Sequence, residues 1–202
     1  MTFMFRLTTT MMIFFLLAAA VYGATSLVSL KTPLAPAELK AELATDPALY
    51  YSLGTFLAHR GLFGQAQAAL EHSLLLKEDP KTFYNLGYAH YAQGDALLAE
   101  EAFRHAVFLK QDYAKAWNGL GILALEKKDF QGAADYLEKT VVYRPDDPSA
   151  WFDLGLAYTG MFRATDDASY GEQAMASFSH ALMLKPDFRE AAANIAVLER
   201  FV

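Results

Sequence analysis

Leu-Gly pairs recur at Leu53-Gly54, Leu86-Gly87, Leu120-Gly121 and Leu154-Gly155, with the glycines 33, 34 and 34 residues apart. A fixed period of this length marks an array of supersecondary units that stack to bury a shared core, because one such unit cannot bury its apolar face alone. Second landmarks keep step: Ala66 and Leu70, Ala99 and Phe103, Ala133 and Leu137, then Ala174 and Phe178. Only the last pair is late. Ala133 and Ala174 are 41 residues apart, so the fourth unit holds about seven extra residues after Gly160, in the stretch MFRATDDASYGEQ.

Each unit carries signals for two helices. Asp46-Pro47, Asp79-Pro80 and Asp147-Pro148 set a side-chain acceptor before a proline whose fixed φ suits the first helical position. Apolar residues then recur at helical spacing, and Gly61 and Gly94 interrupt the run where a turn is needed. The glycine of each Leu-Gly pair falls inside the first helix, where it costs roughly 1 kcal/mol relative to alanine, so close helix packing must need the missing side chain. Ala66, Ala99, Ala133 and Ala174 allow the second helix to approach, and Leu70, Phe103, Leu137 and Phe178 are expected to fill the space between neighbouring units.

These landmarks resemble the tetratricopeptide repeat (TPR), whose pattern is W-x2-L-G-x2-Y, A-x3-F, then P. The third unit supplies Trp117, Leu120, Gly121, Ala133, Leu137 and Pro145; the fourth supplies Trp151, Leu154, Gly155, Tyr158, Ala174, Phe178 and Pro186. Tyr50 and Phe83 replace the tryptophan of the first two units, and Leu57, His90 and Ala124 replace the tyrosine of the first three. The resemblance implies an all-α fold: a right-handed superhelical solenoid of about four helix-turn-helix repeats at 47–79, 80–113, 114–147 and 148–188. A C-terminal capping helix at 189–202 carries Ala192, Ile195 and Ala196 in phase.

Residues 1–24 read differently. The span from Leu7 to Leu30 has no charged residue and follows Arg6. It forms an N-terminal apolar helix, either a cleavable signal peptide or a membrane anchor, and either one places the repeats outside the cytoplasm. Residues 25–46, with Pro33 and Pro36, form a linker.

Composition narrows the chemistry. With 54% hydrophobic residues the chain can bury a core, and a net charge of −6 without a basic run leaves no footprint for nucleic acid. Cysteine is absent, which removes thiol catalysis and thiolate metal sites. His72, His105 and His180 share one repeat position, but neighbouring units stand roughly 10 Å apart while zinc needs its ligands within about 2 Å, so these read as polar positions on the second helices. No HExxH, GxSxG or P-loop occurs. The reading is a non-enzyme with no metal, no cofactor and no small-molecule substrate evident.

What remains is a protein or peptide partner. The resemblance implies that the first helices line a concave groove for an extended peptide or a partner helix. Counted from the Leu-Gly landmark, the candidate partner-contact residues are Tyr51, Lys81, Tyr84, Tyr88, Tyr91, Lys115, Asn118 and Phe152. Tyrosine suits an interface because it buries area while its hydroxyl stays paired or wet, yet several of these tyrosines also suit packing between helices. The two-carboxylate clamp of some family members does not fit, since Tyr51 and Thr55 hold its lysine and asparagine places, although Lys81, Lys115 and Asn118 remain open to a carboxylate. Function thus reads as an exported or membrane-anchored interaction scaffold, or alternatively as an accessory subunit presenting a peptide or polymer to an enzyme or secretion machinery.

Overall fold

The computed structural model describes residues 44–202, and among them every regular element is an α-helix. Four antiparallel pairs follow one another: α1 (Pro47–His59) with α2 (Phe63–Leu76), α3 (Pro80–Gln93) with α4 (Ala96–Leu109), α5 (Ala114–Glu126) with α6 (Phe130–Tyr143), and α7 (Pro148–Thr165) with α8 (Ala168–Leu184). Helix α9 (Arg189–Leu198) then packs on α8. The apolar N-terminal segment and nearly all of the linker lie outside the described residues. Among the described residues no helix is long and apolar enough to cross a membrane.

Local chemistry sets the helix ends. The Asp79 carboxylate accepts from the backbone N–H groups of Lys81 and Thr82 at 3.0 and 3.1 Å, and Asp46 and Asp147 cap α1 and α7 through Ala48 and Ser149. Each such cap is worth about 1 kcal/mol. Gly61 and Gly94 make the turns of the first two pairs with φ of 74° and 87°; in the third pair Lys128 takes this left-handed conformation at 59°, at a cost of about 1 kcal/mol. The insertion of the fourth unit forms no long loop. It lengthens α7 to 18 residues and α8 to 17, against 13 or 14 in the earlier pairs, and the two meet at a tight turn through Asp166.

The Leu-Gly glycines explain the approach of the two helices in each pair. A Cβ placed on Gly54 would stand 2.6 Å from Leu70 Cγ, and one on Gly87 would stand 2.7 Å from the Phe103 ring. The bulky residue therefore seats on the glycine of its own unit, rather than only between units as the spacing suggested. Phe103 does both, since its far edge also lies against Gly119 of the next unit. Ala66, Ala99, Ala133 and Ala174 are fully buried beneath these contacts.

The repeat-related histidines do lie on the second helices, and each one has an aromatic partner. His72 meets the Tyr50 ring at 4.0 Å, His105 stacks on Phe83 at 5.0 Å and His180 meets Trp151 at 4.1 Å. In the third unit Lys139 takes the place, its Nζ lying 4.2 Å from the centre of the Trp117 ring. The same register thus presents an imidazole or an ammonium to the aromatic residue of its own first helix.

Consecutive first helices, α1 with α3, α3 with α5 and α5 with α7, touch one another, whereas the second helices do not pack together to that extent. Stacking that is tighter along one row than the other bends the array. The first helices form the inner, concave row.

Candidate functional site

The concave face is built from side chains of the first helices. Tyr84 on α3 is half-buried, its ring 5.8 Å from Phe103 and edge-on to Tyr113 at 5.6 Å. Lys115 Nζ hangs 5.9 Å from the same ring. Burial raises the Tyr84 hydroxyl above its ordinary range, with Tyr88 adding to the rise and Arg144 opposing it. Tyr113 is pushed up to about 12, chiefly by burial and then by Tyr84, Tyr51 and Asp79. Tyr51, packed on the Leu70, Leu86 and Ala102 cluster, Tyr84 and Tyr113 therefore form one patch. Tyr84 and Tyr113 stay neutral at physiological pH and offer hydroxyls rather than charge.

The other residues singled out from the sequence are distributed unevenly. Tyr88 is 46% exposed and makes an edge contact to Phe63 at 6.1 Å. Lys81 is exposed beside the α3 N-terminus. Tyr91 is tied down, for its hydroxyl donates to Glu126 at 2.5 Å, and that bond, followed by burial, pushes it up to about 12. Asn118 is half-buried and its Oδ1 accepts no hydrogen bond. Phe152 lies in the last core layer, between Phe178 at 5.5 Å and Phe188 at 4.8 Å. Tyr51, Tyr84, Tyr88 and Lys115 thus gather on one stretch, while Phe152 is committed to packing and Tyr91 to Glu126.

Two residues escaped the sequence reading. Tyr113 immediately precedes α5. Asp153, on α7, is half-buried and makes no hydrogen bond or ion pair among the described residues. Burial, with a smaller contribution from the Asp147 charge, raises its carboxyl from 3.8 to about 6. The signal was its register, since Asn85, Gly119 and Asp153 are each 34 residues apart. Among the described residues no cluster of three histidine or acidic side chains could hold a metal ion.

Residues 84–148 and 129–180 match a profile described as Tetratricopeptide repeat, in phase with the helix pairs above. The chain belongs to the tetratricopeptide repeat family. Its fold is that of a protein–protein interaction scaffold. The peroxisomal targeting signal receptor of Eremothecium gossypii is 34% identical over 79 residues, which make up 39% of this TPR chain but only 13% of that receptor. The crystal structure of MamA superposes with a TM-score of 0.64 at 25% identity, covering 75% of this chain and 85% of MamA. YrrB, described as a TPR protein with an unusual peptide-binding site, gives a TM-score of 0.61 at 19% identity over 74% of each chain and supports the fold alone.

Proposed function

We propose that this TPR protein is a non-enzymatic scaffold that binds an extended peptide or a helix of a partner protein along its first-helix face. The observation that carries the reading is the tyrosine patch of Tyr51, Tyr84 and Tyr113 beside the exposed Tyr88 and Lys81. Rigid aromatic side chains with a polar tip supply contact area at low entropic cost, and the two exposed residues have the fewest packing duties. Targeting-signal reception, named for the Eremothecium receptor, agrees with such a role. The uncharged 24-residue span from Leu7 to Leu30 supports a scaffold held at or exported across a membrane.

The test is affinity capture from membrane and soluble fractions with the full chain and its Tyr88→Ala/Lys81→Ala variant. Both positions are exposed, so the variant should melt within a few degrees of the parent. A partner set held by the parent and lost by the folded variant supports the groove. Identical partner sets refute it. Recovery of the parent in the membrane or exported fraction, and not in the cytosol, is the expected outcome for location.

A further inference from the structure

The residue that follows the groove column in each first helix, Asn85, Gly119 or Asp153, points into the cleft toward the preceding unit. Two contacts fix this direction. Asn85 Nδ2 donates across to Thr55 Oγ1 on the preceding first helix at 3.1 Å, and a Cβ on Gly119 would stand 2.7 Å from Phe103 of the preceding unit. By the same register Asp153 is directed toward the third unit, where Ile122 of α5 is the counterpart of Thr55, and α5 and α7 are in contact. Where the earlier cleft offers a hydroxyl, this one offers a hydrocarbon. Asp153 is left with no donor, and its oxygens, unlike Asn118 Oδ1, are not sealed from solvent.

A second unmet acceptor lies on α5. Asn118 lies one helical turn before Ile122, and its Oδ1 also lacks a donor. Lys115, the cation one turn further back on α5, leans the other way, toward the Tyr84 ring. Ile122 and Leu125 on α5 and Leu156 on α7 are half-buried and apolar. An anionic group would be repelled here and an apolar one would leave Asp153 unpaired. A lysine or arginine side chain meets each demand: donors at its tip and a hydrocarbon stem for the walls.

We propose that the concave cleft between α5 and α7 is a subsite for a basic side chain of the bound peptide. Asp153 is its counter-ion, and Ile122, Leu125 and Leu156 flank its stem. This rests on the groove reading above and adds the class of residue that the ligand must present.

The test uses the full chain, immobilised and probed with a random library of nine-residue peptides blocked at both ends, so that no terminal amine mimics a side chain. The parent should enrich Lys or Arg at one aligned position. Replacing that residue of the best peptide with norleucine, or its arginine with a neutral isostere, should weaken binding about ten- to a hundred-fold, the range of a charge-assisted contact. In the Asp153→Asn variant, helical by circular dichroism, the same replacement should change binding less than about twofold. A bound pool without basic enrichment, or an equal loss in parent and variant, overturns the subsite. Tyr88→Ala distinguishes the two readings: if it leaves the bound pool unchanged, the groove itself is refuted, and a library that yields no binder overturns both.

Discussion

Replacing Asp153 with asparagine should stabilise the protein, and should do so only where the aspartate is ionised. Raising a carboxyl from 3.8 to about 6 costs roughly 3 kcal/mol in the ionised form, at about 1.4 kcal/mol for each tenfold change in the proton equilibrium. Partial solvent access lowers this to about 1–3 kcal/mol. The sign follows from linkage. Below 3.8 the carboxyl is protonated in both folded and unfolded chains and costs nothing. Between 3.8 and about 6 the unfolded chain releases its proton first, so folding stability falls as pH rises; above about 6 the full cost remains. Asparagine carries no charge at any of these values. Urea unfolding followed by circular dichroism at pH 8, 6 and 4 should place the Asp153→Asn midpoint about 0.5–1.5 M above the parent at pH 8, with the gap closing by pH 4. Coincident midpoints at pH 8 would refute the burial of the charge. A gap that persists unchanged at pH 4 would show that the gain has nothing to do with ionisation.

Two helical glycines should respond with opposite signs to alanine. At Gly87 the new methyl meets the Phe103 ring at 2.7 Å, so overpacking of about 1–3 kcal/mol outweighs the gain in helix propensity; at Gly64 the nearest atom, Gln93 Oε1, is 3.7 Å away and the change should gain up to about 1 kcal/mol in thermal melts. Leu75, Phe108, Val142 and Met183 share one register near the ends of the second helices and are 83%, 81%, 71% and 68% exposed. Serine at all four should shift stability by no more than about 0.5 kcal/mol per site and should abolish binding of an apolar dye. A loss above about 1 kcal/mol at any one site would show that this side chain is covered in solution.

The array was legible because its packing landmarks repeat. Gly54, Gly87, Gly121 and Gly155 each serve one steric purpose, so four copies confirm one another, and the Asp-Pro starts and turn glycines follow from the chemistry of a few neighbouring residues. The aromatic partners of His72, His105 and His180 were less legible, since the ring and the imidazole belong to different helices about 22 to 29 residues apart. The site was harder still. Tyr51, Tyr84 and Phe152 share one column, but the residue that precedes the next first helix is Asp79 beside the first unit, Tyr113 against Tyr84 and Phe188 against Phe152, so an aromatic ring covers the column in only some of the units. Position in the repeat fixed where each side chain points, while the neighbouring unit fixed whether it was covered.

Asn85, Gly119 and Asp153 carry that distinction furthest. One register directs all three into an inter-unit cleft, but their states differ: Asn85 meets the Thr55 hydroxyl, Gly119 yields its space to Phe103, and Asp153 meets no donor among the described residues. A half-buried carboxylate opposes folding at neutral pH, and nothing in the described part of the chain compensates it. Such a group contributes favourably only when a cation from outside arrives. On the subsite proposed for Asp153, the departure from periodicity, and not the repeat itself, is where the choice of partner is encoded.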